Sequence, residues 1–251
     1  THPDVPFDRK RALDATHRRL DGYEALLPAA RDLAVALGPS NLLVRALGDR
    51  LDQYLESAVR LAALVFPHRQ VVNAYNRFVD GDAKTRPYAI ELLEHTIEDR
   101  TLSRRLVGVL DRWHRRNDWA DDGRIERAPA RLLELLTTSD SVLRAFAVAT
   151  VRQLGEARRK AIEQAAAIAR DGGELGGSGI HALARLAKGA AWDVLLTAPP
   201  VIPEEGPMSE AIVEKVMFLE GVDIFQESDV DDLAAVAQYV REKRFSKGEL
   251  I

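Results

Sequence analysis

The chain has 251 residues, 46% of them hydrophobic but only 6% aromatic, and a formal net charge of −4. Its apolar mass is mainly Leu, Ala and Val beside abundant Arg and Glu, which suits helices packed on helices, and its length is better fitted to a stack of helix pairs than to one compact core. The absence of cysteine excludes disulfides, thiolate nucleophiles and Cys-ligated zinc or iron–sulfur centres, and the negative net charge gives no general attraction to nucleic acid or an anionic membrane.

The chain opens Thr1-His2-Pro3-Asp4, with no initiator Met and no signal-peptide pattern, and closes Lys247-Gly248-Glu249-Leu250-Ile251 on what reads as the opening of a strand. Both ends are therefore expected to be cut from a longer protein, with a cytoplasmic setting. Residues 8–37 read as a helix rich in Arg, Leu and Ala, stopped by Gly38-Pro39. Ser40 or Asn41 caps the next helix, predicted to run to Phe66, whose apolar positions Leu43, Leu47, Leu51, Tyr54, Leu55, Ala58, Ala62 and Val65 step by three and four. It contains the best apolar run, Leu61-Ala62-Ala63-Leu64-Val65-Phe66, far short of the roughly 20 residues that span a bilayer. A shorter helix over 68–79 ends at Asp80-Gly81.

Asp82 is placed as the N-cap of a further helix containing Arg86-Pro87-Tyr88-Ala89-Ile90, and a partner helix follows over 101–115. Asp82, Arg86, Tyr88, Ala89 and Ile90 recur 58 residues later as Asp140, Arg144, Phe146, Ala147 and Val148. A weaker echo, Gly179-Ile180-His181-Ala182-Leu183-Ala184-Arg185-Leu186, lies another 32 residues on. A capping Asp, then Arg, then small and aliphatic residues, repeated, is the pattern of an all-α, HEAT-like α-solenoid of antiparallel helix pairs. The spacing is irregular, with an insertion or degenerate copy expected around Asn117–Arg127. Residues 197–208 carry four prolines and one glycine and read as a semi-rigid linker. Beyond it the sequence predicts a short helix over 209–219, a turn over 221–225 and a helix over 229–241. The expected organisation is long N-terminal helices over 1–66, repeats over 67–198, the Pro-rich linker at 199–208 and a helical segment over 209–251.

Motifs that could carry chemistry are each better explained structurally. Gly177-Ser178-Gly179-Ile180-His181-Ala182 matches G-x-G-x-x-A, but a helix precedes it and Asp193 belongs to no βαβ unit. Asp118, Asp122 and Gly123 resemble part of a calcium loop whose third and twelfth positions are Ala120 and Pro129, where ligands are required. His2, His17, His68, His95, His114 and His181 show no metal-ligand spacing; Glu94-His95 reads as a solvated helix edge, and Asp111 and His114 could touch across one turn. Glu204-Glu205 and Asp231-Asp232 sit in linker and helix-cap contexts, and no G-x-S-x-G elbow is present. The basic groups are Arg9-Lys10-Arg11, Arg18-Arg19, Arg104-Arg105, Arg112 with Arg115-Arg116, and Arg158-Arg159-Lys160. On a concave face they could hold phosphates, with Trp113 and Trp119 as base-contacting groups; interleaved Asp and Glu favour solvated faces and ion pairs between repeats instead.

Two resemblances add context. Glu214-Lys215-Val216-Met217-Phe218-Leu219, Val222-Asp223-Ile224-Phe225, Asp231-Asp232-Leu233-Ala234-Ala235-Val236-Ala237 and Phe245-Ser246-Lys247-Gly248-Glu249-Leu250-Ile251 resemble the lead-in of bacterial cyclic nucleotide-binding domains, in which two helices precede a β-roll. The phosphate-binding cassette of that family would lie beyond Ile251, so the resemblance implies no cyclic nucleotide binding by these residues. Residues 42–66, Val71-Val72-Asn73-Ala74-Tyr75 and Gly81 through His95 look like the region of bacterial fusion proteins in which HEAT repeats follow an ATP/ADP-translocase-like membrane domain. Together these imply a non-catalytic scaffold or connector between a transporter-like domain and a cyclic nucleotide sensor. Its partners would be proteins or neighbouring domains of the same chain, without cofactor, metal or catalytic residues, and membrane contact would come only through the upstream domain. The alternative is a nucleic-acid-binding solenoid of DNA-glycosylase type.

Overall fold

The structure is a computed structural model that describes residues 8–82, 84–115, 124–170, 210–225 and 228–241, the side chains of 157–170, 210 and 211 excepted. Among the described residues there are nine α-helices, one short 3₁₀ turn and no strand. In chain order the helices are α1 (Arg9–Leu37), α2 (Leu42–Val65), α3 (His68–Val79), α4 (Thr85–Thr96), α5 (Arg100–His114), α6 (Arg124–Leu136), α7 (Ser141–Arg170), α8 (Glu210–Glu220) and α9 (Val230–Ala237). The 3₁₀ turn, Asp223–Phe225, separates α8 from α9. The all-α expectation holds. The linker, the Gly172–Gly179 run, the partial calcium loop, Trp119, Glu204-Glu205 and the expected terminal strand lie outside the described residues.

The chain forms two compact units: Thr1–Arg31 with Leu47–Asp122, and Asp32–Ala46 with Gly123–Ile251. In the first, α1 buries Ala12, Thr16, Leu20, Tyr23 and Leu27, a stripe stepping by three and four. From α2, Leu47, Leu51, Leu55, Ala58 and Ala62 join the same core, as their spacing predicts. Tyr54, also in the predicted stripe, is only half-buried. Its ring lies so close to α1 that a Cβ on Gly22 would stand 2.7 Å from a ring carbon. Pro67 both stops α2 and opens α3: its carbonyl accepts from Gln70 and Val71 N–H at 3.0 and 3.1 Å, and its missing N–H would have had no helical partner. Helix α3 packs on α4 through Val71, Ala74 and Phe78, and α4 packs on α5.

In the second unit α6 packs on α7, α7 on α8 and α8 on α9. The buried positions are Ala128, Leu132 and Leu135 of α6, Leu143, Phe146 and Ala147 of α7, Val213, Val216 and Leu219 of α8, and Leu233, Ala234 and Ala237 of α9. Gly38, at φ 89°, ends α1 in the left-handed region, as a glycine after a helix does. Asn41 Oδ1 accepts from Leu43 N–H at 3.0 Å, so Asn41 rather than Ser40 caps α2. Helix α9 ends at Ala237, several residues before the predicted 241, and Lys215 Nζ donates to the Val240 carbonyl at 2.7 Å just beyond it.

The repeat noticed in the sequence corresponds to a repeated local device. Asp82 Oδ1 accepts from Lys84 and Thr85 N–H at 3.0 and 2.9 Å, and Asp140 Oδ1 accepts from Val142 and Leu143 N–H at 3.1 and 3.2 Å. Four residues on, the arginine reaches back to the end of the preceding helix in one case and to the turn just after it in the other. Arg86 Nε donates to the Phe78 carbonyl at 3.2 Å and Arg144 Nη1 to the Thr138 carbonyl at 2.9 Å. Each pair thus satisfies orphan donors of one helix start and an acceptor at, or just beyond, the previous helix end. Ala89 and Ala147 are both buried behind the cap. The aromatic position differs: Phe146 is 1% exposed but Tyr88 is 73% exposed. Asp99 caps α5 in the same way, accepting from Thr101 and Leu102 N–H at 2.9 and 3.0 Å.

Asp140→Ala should cost about 1 kcal/mol in urea unfolding, the usual value of a lost N-cap. At Asp82, hydrogen bonds from the Thr85 backbone, the Thr85 hydroxyl and the Lys84 backbone hold the carboxyl below its ordinary range. A depressed folded-state pKa gives stability that is present above the unfolded value and lost as pH falls through the folded one. The gap between the parent chain and Asp82→Ala should therefore be full above about pH 4 and shrink in more acid solution. A pH-independent gap in thermal melts would count against this cap.

Candidate functional site

The described basic side chains divide into committed and free groups. On α5, Arg105 lies 2.7 Å from Asp21, 2.8 Å from Glu24 and 3.1 Å from His17 Nδ1, all on α1. Arg112, two turns on, reaches the other Glu24 oxygen at 3.0 Å. These contacts form a charged seam that fastens α5 to α1. Arg115 pairs with Asp111 at 3.0 Å within α5, so Asp111 faces Arg115 and not the His114 that its spacing suggested. His114 instead lies edge-on to Phe78, with ring centroids 6.3 Å apart, and 3.5 Å from Arg86 Nη1. Arg9 stacks over Phe66 at 5.6 Å. Lys10, Arg11, Arg18, Arg19 and Arg104 are exposed to solvent. Arg116 and the Arg158-Arg159-Lys160 side chains lie outside the described residues.

Trp113 Nε1 donates to Asp52 of α2, and its ring packs at 6.0 Å and 53° against Phe78 of α3. Its polar edge and one face are thus used to hold α5 against α2 and α3. Glu94 and His95 are both exposed, and His95 Nδ1 lies 2.8 Å from the Glu91 carbonyl, one turn back in its own helix. Asp231 and Asp232 occupy the first turn of α9, where the helix dipole favours negative charge. Among the described residues no group of three or more His, Asp or Glu side chains is arranged to hold a metal ion. Among the same residues no helix is long and apolar enough to cross a membrane.

One charged group was not singled out by sequence. Asp32 of α1 has a side chain only 4% exposed, and two arginines of α6 clasp it, Arg131 Nε at 3.0 Å and Arg127 Nε at 3.5 Å. Hydrogen bonds to Asp32 and Glu134 raise the Arg131 pKa above its ordinary value against the opposing effect of burial. A sequence signal existed: Asp32 directly precedes the apolar run Leu33-Ala34-Val35-Ala36-Leu37, and a carboxylate on a core face needs a cation.

Concavities among the described residues include two with functional groups in their walls. An open cleft of about 510 Å³ lies at the α3–α4 turn, lined by Asn76, Arg77, Asp80, Gly81, Thr85 and Tyr88. A smaller one of about 280 Å³ lies in the second unit, among the first turn of α2, α7 and α8. Neither gathers a nucleophile, a base and an orienting group. Comparison with models of known protein families, with curated proteins and with solved structures finds no match to this chain.

Proposed function

We propose that the chain is a non-catalytic scaffold or connector, a HEAT-like α-solenoid of antiparallel helix pairs that presents surfaces to protein partners or neighbouring domains. The observation that carries this reading is the repeated cap-and-back-bond device of Asp82/Arg86 and Asp140/Arg144, which ties the start of α4 to the end of α3 and the start of α7 to the turn after α6. Packing of successive helices on one another supports it, since repeat arrays are held together by nearest-neighbour contacts. The order helix, short turn, helix over α8, Asp223–Phe225 and α9 supports the further reading of residues 209–251 as the lead-in to a cyclic nucleotide sensor. On that reading the chain connects the sensor to a transporter-like membrane domain and works on the cytoplasmic side. Titration calorimetry with cyclic AMP and cyclic GMP tests the lead-in: the parent gene product should bind one of them and this chain neither. Binding by this chain alone would overturn it.

The commitment of Arg105, Arg112 and Arg115 to carboxylates favours the scaffold over the nucleic-acid-binding alternative. Phosphate contacts release counterions, so a solenoid that held DNA would bind a duplex at low salt and lose affinity steeply as salt rose. We expect fluorescence anisotropy with a labelled duplex to show no such binding. A saturable, salt-sensitive signal would sink the scaffold-only reading.

A further inference from the structure

The helix pair α8–α9 is held together largely by its own contacts. Val213, Val216 and Leu219 of α8 and Leu233, Ala234 and Ala237 of α9 are buried, and the two helices pack on each other. Lys215 Nζ ties α8 to the chain just after α9, at the Val240 carbonyl. The turn between them bonds within itself. Gly221 N–H donates to the Phe218 carbonyl at 3.1 Å, Val222 to Leu219 at 2.9 Å, Phe225 to Val222 at 2.9 Å and Ser228 to Phe225 at 3.1 Å.

The seat of this pair on the rest of its unit is looser. The cavity of about 280 Å³ lies along it, with Val213 and Met217 of α8 on one side and Leu37, Leu42 and Phe146 on the other. Apolar groups that face one another across such a gap forgo the contacts of a close-packed seam. Gln153 Nε2 donates to Met217 Sδ at 3.4 Å, and thioether sulfur is a weak acceptor. The strong contact is Arg45 of α2. Its guanidinium bonds Glu220 at the end of α8 and lies 3.4 Å from the Ser228 carbonyl just before α9, so one side chain spans both ends of the turn. The side chains of Arg45 and Glu220 are only 27% and 25% exposed, which places the pair beyond the weak class of surface bridges and makes its loss costly.

We infer that α8–α9 is a releasable arm, latched to the start of α2 by Arg45, which opens as one piece while α6 and α7 stay folded. Opening breaks the Arg45 bonds and the loose seat on α7 but keeps the buried face between α8 and α9. A cooperative opening of that kind lies below global unfolding in free energy. The arm stands whether or not the scaffold reading does; only its use as a relay rests on that reading. A neighbouring domain that holds α8–α9 in the released position would shift the balance by its difference in affinity for the two positions.

Native-state amide hydrogen exchange of the full chain, followed by NMR, tests the arm. Buried amides of α8 and α9 should share one opening and exchange faster than those of Leu132 and Leu135 in α6 and of Phe146 and Ala147 in α7. Arg45→Met removes both latch bonds and should speed exchange in α8 and α9 roughly 10- to 100-fold, the loss of hydrogen bonds to a charged group, with α6 and α7 unchanged. Glu220→Gln keeps the shape of the side chain and should act in the same direction by a smaller factor, which serves if Arg45→Met folds poorly. The inference is overturned if α8 and α9 open separately, or if they exchange no faster than α6 and α7. Unchanged exchange of α8 and α9 in both folded variants would overturn it equally.

Discussion

Arg131→Met should lower the free energy of unfolding by roughly 3 kcal/mol, because it leaves a buried carboxylate without its main partner. Asp32 is almost fully enclosed, and Arg131 makes the better of its two contacts, at 3.0 Å against 3.5 Å for Arg127. The Arg131 pair with Glu134 lies within one turn of α6 and is open to water on the Glu134 side, so it contributes little to this figure. The double variant Asp32→Leu/Arg131→Met separates the cost of a stranded charge from the worth of the pair. With no charge left to strand and an apolar residue of similar volume in place, it should recover most of the loss. Urea unfolding followed by circular dichroism gives both values. A loss below about 1 kcal/mol for Arg131→Met would mean that Arg127 alone, or water, satisfies Asp32.

Sequence reading succeeded where local chemistry decided the outcome. The α2 stripe, the Gly38 stop, Asn41 as one of two cap choices, and Asp82 with its counterpart Asp140 were all legible, since each depends on neighbours within four residues. What stayed illegible depends on distant partners. Arg45 pairs with Glu220 and donates to the Ser228 carbonyl at 3.4 Å, across 175 and 183 residues, and no local pattern names either partner. The stretch around residues 117–127, read as an insertion or degenerate copy, lies largely outside the described residues; α6 begins near its end at Arg124 and continues through Pro129. At the sixth position of that helix Pro129 cannot donate to the Ile125 carbonyl, so the helix is held there by its buried face, which includes Ala128, Leu132 and Leu135. Asp111 and His114 show the converse error. Both have the spacing to meet, but Arg115 offers Asp111 a charged partner and Phe78 offers the His114 ring an aromatic edge. Of the smaller cavity, Ser40 and Asn41 were visible as cap candidates, but nothing in the sequence places them beside Phe146 and Met217.

The two aromatic positions of the repeat offer the sharpest comparison between sequence equivalence and structural role. Phe146→Ala should destabilise the chain by about 3–5 kcal/mol, the range for truncating a buried aromatic that leaves a cavity. The equivalent Tyr88→Ala should fall within about 0.5 kcal/mol of the parent, because a mostly exposed ring gives up little apolar contact. Both residues follow an Asp by six positions and precede a buried alanine, so identical local sequence logic places them on opposite sides of the energy scale. The difference arises from what lies beyond each helix. Phe146 sits on α7, which packs on α6 and on α8, and it lines the cavity that Met217 of α8 also lines. Tyr88 sits at the open α3–α4 cleft. The shared cap-and-arginine device thus ties α4 and α7 to the chain just before them, while the residue at the aromatic position reports whether a further helix covers it. Equal losses for the two substitutions in chemical denaturation would refute that division.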